Sequence, residues 1–336
     1  MQVAPHSLIH SSAQRDVEHF MDLCHIPGCS YAIVKGGDIA VCGSTGIAVP
    51  EKTRVADSTL FECASLTKAH FAAMALRLCE DGVFSLNTPV MKQCPMEPWS
   101  EDLRFMQVTP LHILSHTSGL PNWSERPMPV LFTPGSQFSY SGEGYFLLQT
   151  MLETITGKPL NEWMDLTVFR PLGMDAFVLW NDAIAKRFSY GFDTSGQVCK
   201  IRDHRRTSGN APEPNAAWSL YANASSVARF LSWLLVHHAG LGKEMFDTMT
   251  SAHVCAGNGI QWGLGLGLCN QDTNVIWHWG DNAGFQSFMI GDTCTKDGIV
   301  IITNSSSGLK LCFHLIEHWS GFPAFSVFPP FLKTAE

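Results

Sequence analysis

Charged side chains are scarce in this chain of 336 residues: Asp, Glu, Lys and Arg make up 15%, against 45% hydrophobic residues. That composition is typical of a globular protein with a large core and not of a disordered one. Acidic residues outnumber basic ones, so the net charge is -8 and the isoelectric point is about 5.9. This balance argues against broad binding of nucleic acids or anionic membranes. The length allows one large domain or two interleaved ones.

Three further features are missing. No apolar run reaches transmembrane length, and residues 1–6 lack the charged-then-apolar layout of a secretory signal. The 11 cysteines are an odd number without any C-x-x-C pair, so no zinc knuckle is predicted. Free thiols in this number suit a reducing compartment. We therefore expect a cytoplasmic protein with no metal, no cofactor and no membrane or nucleic-acid partner.

What the chain does contain is a serine three residues before a lysine, in Ser65-Leu66-Thr67-Lys68, followed by an apolar run with helical character. Positions i and i+3 of a helix share one face, so the amine can lie beside the hydroxyl. A serine in the first helical turn also has a free N–H. One turn of backbone thus supplies a nucleophile, a base and half of an oxyanion hole.

The same tetrapeptide pattern occurs a second time, in Ser307-Gly308-Leu309-Lys310. Short motifs arise by chance about once in a chain of this length. The serine run and the glycine indicate a strand-to-helix turn here. For this copy we predict an ordinary helix start with a solvated lysine.

Apolar periodicity predicts an α+β fold. Strands are expected at 29–34 and 39–43, and then at 260–269, 274–278, 285–291 and 299–304. The predicted helices lie at 13–23, 65–80, 110–115, 143–156, 160–168, 225–238 and 309–319. The terminal strands should pair into one antiparallel sheet flanked by helices, with the helical middle inserted. We expect one lobe from residues 1–75 plus 250–336, a helical lobe from 76–249, and the active site between them.

Two more clusters carry chemistry. Tyr140 precedes Ser141 and Gly142 at the mouth of a predicted helix, where a tyrosine near a lysine ammonium can have a lowered pKa and exchange protons. His278-Trp279-Gly280 ends an apolar strand, and a glycine there would let a substrate approach the backbone. The following N–H, that of Asp281, could be the second oxyanion donor.

Seven segments in fixed order carry a family resemblance that covers roughly residues 25 to 320. They are F-x-x-A-S-x-T-K at 61–68, L-S-H-T-S-G-L-P at 114–121, P-G-x-x-F-x-Y-S at 134–141, G-K-P-L at 157–160, P-L-G-M at 171–174, A-R-F-L at 228–231 and H-x-G at 278–280. The chain resembles the serine β-lactamase and penicillin-binding-protein superfamily, in particular the class C β-lactamase-like esterases and D-peptidases. The resemblance implies a β-lactamase/transpeptidase-like sheet.

The resemblance also implies roles. Ser65 would be the acylated nucleophile, Lys68 the amine that deprotonates it, and Tyr140 the proton relay. The backbone N–H groups of Ser65 and Asp281 would form the oxyanion hole. His278 would line the strand beside the leaving group or a substrate carboxylate. The loop 121–134 and the region of Trp218 would shape the pocket.

Two departures from the family pattern bear on the substrate. Relatives that act on lactams or peptides carry Y-x-N, whose asparagine binds the acylamide, but the corresponding residue here is Gly142. Where relatives have K-T-G, this chain has His278-Trp279-Gly280. Histidine is only partly charged at pH 7, and Trp279 adds an apolar wall. We take Gly142, His278, Trp279 and Gly280 as substrate-binding positions and expect a small ester or thioester substrate.

The functions left open belong to different classes. The first is carboxylesterase or acyltransferase action through a covalent acyl-enzyme. A β-lactamase or D-amino-acid peptidase or amidase would use the same site, and a non-catalytic family member would use none of it. The partner is expected to be a small acyl substrate, and the oligomeric state stays open.

Several motifs imitate functional ones. Tyr221-Ala222-Asn223 is a literal Y-x-N but matches a structural helix start. The segment 314–318 fits the zinc-peptidase pattern H-x-x-E-H, yet only 18 residues follow it, too few for a third ligand. Lys35 and Lys296 begin K-x-G patterns that indicate hairpin turns. For His112 and His116 we predict structural roles.

Overall fold

The computed structural model describes residues 6–201, 214–257, 259–269 and 274–320; of 6–11 and 320 only the backbone is described. Ten α-helices are assigned within these ranges. They are α1 His6–Cys24, α2 Leu66–Glu80, α3 Val90–Gln93, α4 Pro110–Leu114, α5 Gly142–Thr156, α6 Leu160–Met164, α7 Asp182–Ala185, α8 Ala224–His237, α9 Lys243–Thr250 and α10 Gly308–Ser320. Short 3₁₀ helices at Leu103–Gln107 and His238–Gly240 and a π-helical turn at Asp165–Phe169 complete the helical part.

The described ranges contain thirteen strands. They are β1 Gly28–Lys35, β2 Asp38–Val49, β3 Thr53–Arg54, β4 Phe61–Ala64, β5 Gly191–Phe192, β6 Val198–Lys200, β7 Leu220–Ala222, β8 Val254–Gly257, β9 Ile260–Trp262, β10 Gly267–Leu268, β11 Val275–Asn282, β12 Phe285–Asp292 and β13 Gly298–Thr303. Nine of them form one antiparallel sheet in the order β3-β2-β1-β13-β12-β11-β10-β9-β8. The first and last parts of the chain therefore meet at the pairing of β1 with β13, as the sequence predicts.

Both faces of this sheet are buried, which explains why its central strands are continuously apolar. Along β13, Ile299 and Ile301 pack in the cluster that contains α1 and α10. Val300 and Ile302 point the other way, into the larger core that contains α2 and α8. A strand covered on both faces has no polar side, so period-2 alternation is lost.

Helix α8 packs against β1, β2, β12 and β13, although the predicted lobe boundaries assign it to the helical segment 76–249. The two-lobe division itself stays a prediction. Two small sheets lie outside the large one, β4 with β7 and β5 with β6. Within the described residues no helix is both long and apolar enough to cross a membrane.

Candidate active site

Ser65 lies at the junction of β4 and α2, and the backbone there turns sharply. Ala64 has φ +48°, in the left-handed region that L-residues rarely adopt. The Thr67 hydroxyl donates to Ala64 O at 2.6 Å and accepts from Leu220 N at 2.9 Å, which ties the turn to β7. This strained turn places Ser65 directly before the first residue of the buried helix α2.

Ser65 occupies the N-cap position, but its side chain does not cap the helix. Its Oγ lies 3.1 Å from Lys68 Nζ instead. The Ser65 N–H donates to no backbone group in the described part of the chain. Both the hydroxyl and the N–H are therefore available for chemistry at the half-buried end of α2.

Lys68 is 1% exposed and has Ala217 O as its other partner, at 2.8 Å from Nζ. No carboxylate of the described residues pairs with it. Burial therefore holds the pKa of this amine well below its ordinary value of 10.5. An uncharged amine beside a serine hydroxyl can accept its proton.

Tyr140 lies on the other side of Lys68, whose Nζ is 4.6 Å from the centre of the phenol ring. Burial raises the pKa of Tyr140 and the nearby Ser65 side chain opposes that rise, so the lowered pKa that we predicted from the sequence is wrong. The hydroxyl is buried, and no described residue meets it in hydrogen-bond geometry. Tyr140 is thus a neutral phenol whose ring lies against the Lys68 amine.

The segment around Tyr140 is held by His116, which has φ +56°. His116 Nδ1 accepts from Ser141 N at 3.0 Å, and His116 O accepts from Ser139 N at 2.8 Å. Its ring lies 4.3 Å from that of Tyr140, centre to centre. We predicted a structural role for His116, and the structure shows that it supports the wall of the site.

His112, for which we also predicted a structural role, takes part in the cap of α4, because its ring accepts a hydrogen bond from Thr109 N.

Strand β11 forms the opposite wall. A two-residue turn joins the closing pair Asn282 and Phe285, so the next pair, Asp281 with Gln286, is one that does not exchange hydrogen bonds. Asp281 N–H therefore points away from β12. On that side β10 pairs only with Ile276 and Trp277 of β11. The N–H of Asp281 is left facing the cleft edge, as an oxyanion donor requires.

Gly280 is needed for packing, a reason that our interpretation of the sequence did not include. A Cβ at this position would lie 2.2 Å from Cys63 O and 2.4 Å from Ser287 Oγ. The missing side chain lets β11 approach the end of β4 closely. The glycine thereby brings Asp281 next to Ser65.

A cleft of about 500 Å³ opens over these groups. Ser65, Lys68 and Tyr140 line it, together with Trp279 and Asp281. The remaining lining residues are Asn122, Trp123, Phe138, Trp218, Ala256 and Asn282. Our sequence analysis placed the loop 121–134, which contains Asn122 and Trp123, and the region of Trp218 at the pocket, but it did not single out Phe138, Ala256 or Asn282 as site residues. The walls are mainly aromatic, with polar groups at the floor and rim.

Three predicted substrate-binding residues do not line the cleft. His278 is fully buried, and burial lowers its pKa to about 3, so it is neutral at pH 7 and not partly charged as we had expected. Its Nδ1 lies 2.7 Å from Trp279 O. Gly280 and Gly142 are also buried. Trp279, in contrast, lines the cleft, with its ring 5.0 Å from that of Tyr140.

A buried ion pair supports the β11 hairpin. Glu62 is 1% exposed and pairs with Lys200 at 2.6 Å. The same carboxylate oxygen accepts from Asn282 Nδ2 at 2.7 Å. This contact links the strand before Ser65 to the rim of the cleft. Sequence spacing gives no signal for it, since the three residues are far apart in the chain.

Two of the imitating motifs have the structural positions that the sequence predicts, a helix cap at Asn223 and an exposed lysine at the start of α10. Asn223 is the N-cap of α8 and accepts from Ser226 N at 2.9 Å. Lys310 is an exposed residue in the first turn of α10. His314 stacks on Phe20, and His318 lies 3.4 Å from an Asp16 oxygen. In the described ranges no three His, Cys, Asp or Glu side chains are grouped to hold a metal ion.

Comparison with known proteins decides the family. A sequence model of the family described as Beta-lactamase matches residues 13–311. The chain belongs to the β-lactamase family. This confirms the resemblance derived from the seven motifs, and members of the family are serine hydrolases.

Its curated relatives are distant. Protein flp of Staphylococcus aureus is 23% identical over 331 residues, which cover 90% of this chain and 64% of flp. Unguisins hydrolase ungD' of Aspergillus campestris is 25% identical over 346 residues, again 90% of this chain and 64% of that protein. The chain thus spans less than two thirds of the length of these relatives.

Solved structures agree with the fold. The octameric penicillin-binding protein homologue from Pyrococcus abyssi matches with a TM-score of 0.79 and 21% identity, over 96% of this chain and 80% of that one. D-alanine carboxypeptidase AmpC from Burkholderia cenocepacia matches with a TM-score of 0.75 and 17% identity, over 92% and 98%. At these identities the likeness shows the β-lactamase/transpeptidase-like fold alone.

Proposed function

We propose that this protein is a serine esterase or acyltransferase that works through an acyl-enzyme on Ser65. The observation that carries the proposal is the pairing of Ser65 Oγ with Lys68 Nζ at 3.1 Å, at the floor of an open cleft. Burial without a carboxylate partner favours the uncharged amine. Such an amine is the base that a serine nucleophile needs.

In the proposed reaction, the Ser65 proton passes to Lys68 as Oγ attacks the carbonyl carbon of the ester. The oxyanion that forms accepts hydrogen bonds from the N–H groups of Ser65 and Asp281. Lys68, now an ammonium, is stabilised by Ala217 O at 2.8 Å and by the faces of two tyrosine rings, Tyr140 at 4.6 Å and Tyr145 at 5.5 Å from Nζ.

Collapse of this intermediate breaks the bond to the leaving oxygen. Tyr140 gives its proton to that oxygen and recovers one from the Lys68 ammonium, so that the amine is again neutral. Water or an acceptor alcohol or amine then attacks the acyl-enzyme, and its proton returns to Ser65 along the same groups. The raised pKa of Tyr140 keeps the phenol protonated at neutral pH, which a proton donor requires.

The apolar walls of the cleft support a hydrophobic acyl substrate. Trp123, Phe138 and Trp279 line it, and neutral His278 supplies no positive charge to a substrate carboxylate. A β-lactamase or D-amino-acid peptidase activity is the second candidate, since Ser65, Lys68 and Tyr140 would serve it equally. A cytoplasmic location, suggested by the 11 cysteines, stays a prediction.

Labelling with a fluorophosphonate, read by intact-protein mass, tests the proposal. We expect one adduct, which is lost in Ser65→Ala and kept in Ser307→Ala, the serine of the second S-x-x-K. Turnover of p-nitrophenyl esters should exceed that of nitrocefin and of D-alanyl peptides. Faster turnover of nitrocefin would favour the second candidate, and an unlabelled Ser65 would indicate a non-catalytic protein.

A further inference from the structure

Asn122 is a polar residue of the cleft that the reaction above does not use. It is exposed and lines the cleft with Ser65 and Tyr140. Its main-chain oxygen accepts from Gly142 N and Glu143 N, both at 3.1 Å. Two of the N–H groups that open α5 are therefore satisfied by this one residue.

The side chain of Asn122 is fixed as well. Its Oδ1 accepts from Gly142 N at 3.0 Å. Because a main-chain N–H can only donate, the oxygen of the amide must face it, which settles the orientation of the amide group. Nδ2 therefore points the other way, and no described residue accepts a hydrogen bond from it. The cleft thus presents two N–H donors on a side chain held by its neighbours.

The same loop fills the space that a side chain at Gly142 would occupy. A Cβ at Gly142 would lie 2.6 Å from the Trp123 ring and 2.8 Å from Asn122 O. An asparagine there, as in Y-x-N, would have no room unless both Trp123 and the main chain of Asn122 moved. The loop residues Asn122 and Trp123 occupy the space above the start of α5 and bring an amide donor to it from a different part of the chain.

We propose that Asn122 Nδ2 donates a hydrogen bond to a carbonyl oxygen in the acyl part of the substrate, so that the enzyme prefers acylamido or oxoacyl esters to plain alkanoyl esters. This inference rests on the proposed esterase function. Trp123, beside the amide and 44% exposed, covers the apolar part of the same acyl group. For acyl groups that carry a carbonyl, Asn122 thereby supplies the hydrogen bond that the asparagine of Y-x-N makes in relatives and that Gly142 cannot make.

The test compares p-nitrophenyl 4-oxopentanoate with p-nitrophenyl pentanoate, which differ by one carbonyl oxygen. Wild-type kcat/KM should be higher for the oxo ester. Asn122→Asp keeps the oxygen that Gly142 N requires but removes both N–H donors, and should lower the ratio of the two kcat/KM values by about 3- to 10-fold. The same change in α6, Asn161→Asp, should leave the ratio at the wild-type value.

A second variant, Gly142→Ala, disturbs Asn122 Nδ2 from the side of α5. The added Cβ must displace Asn122 and Trp123, so the ratio of the two kcat/KM values should fall in this variant too. The test therefore stays decisive if Asn122→Asp folds poorly. A ratio unchanged in both folded variants, with both esters turned over by the wild type, would overturn the role of Asn122 and leave the esterase function standing. Failure of the wild type to hydrolyse either ester would overturn both.

Discussion

Gly280→Ala should lower the proposed esterase activity about 100-fold without changing a reacting group. The new Cβ would lie 2.2 Å from Cys63 O, whereas real contacts are almost never below 3.0 Å, so β11 must move from β4 by at least about 0.8 Å. Cys63 O is main chain and cannot rotate away. The shift separates Asp281 N–H from Ser65, and a misplacement of this size costs about 100-fold in rate.

The assay is kcat/KM for a p-nitrophenyl ester, measured well below the melting temperature, with the free energy of unfolding measured in parallel. Overpacking should cost about 1–3 kcal/mol of that free energy, so the variant should remain folded. Gly144→Ala is the matched control, because its Cβ would meet its nearest neighbour, Ser141 Oγ, at 3.2 Å. A folded Gly280→Ala enzyme with wild-type kcat/KM would refute the packing argument.

Three more predictions follow from the same geometry. Lys68→Met should slow fluorophosphonate labelling by about 10²- to 10⁴-fold, the usual share of a general base, while Lys310→Met should label normally; equal rates in the two variants would remove Lys68 from the mechanism. Tyr140→Phe should slow hydrolysis of ethyl esters more than that of p-nitrophenyl esters, because only the poorer leaving group needs the proton; a uniform loss would contradict this role. His278 has a folded pKa of about 3 against 6.5 when unfolded, so stability falls as pH drops below 6.5. In denaturant titrations, His278→Asn should therefore reduce the stability difference between pH 7.5 and 5.0 by about 2 kcal/mol, and an undiminished difference would mean that His278 is charged when folded.

Local patterns predicted most of the sheet and the long helices. The boundaries of α5 and α8 follow from Ser141 and Asn223, whose side chains cap the helices. The strand predicted at 260–269 is in fact two, β9 and β10, separated by a turn with Gly265 at φ +79°. The pairing of β4 with β7 joins segments about 160 residues apart, a contact for which local periodicity carries no information.

The contact between Ser65 and Lys68 was predictable because their spacing is local. Ser65 and Lys68 are neighbours on one helix, so a four-residue pattern already contains their geometry. The cleft walls depend on contacts between distant segments. The resemblance placed the loop 121–134 at the pocket, but the contact of Asn122 with the start of α5 depends on the missing side chain of Gly142, which the sequence around residue 122 does not indicate.

For His278, the sequence analysis predicted an exposed side chain where the structure has a buried one. The family pattern suggested a residue at the cleft surface, since relatives place lysine there. Strand β11 turns alternate residues to opposite faces, so Trp279 and Asp281 reach the cleft while His278 faces the core. Burial then removes its charge. The position was predicted correctly as part of β11, but its exposure could not be known without the register.

The protonation state of Lys68 tests the central claim most directly. Carbon-13 NMR of lysine labelled at the ε carbon, with the Lys68 signal assigned by its absence in Lys68→Met, follows the amine through a pH titration. We predict a signal that titrates well below 10.5, because burial disfavours the ammonium. A Lys68 signal that stays in the charged form up to pH 10 would contradict the account.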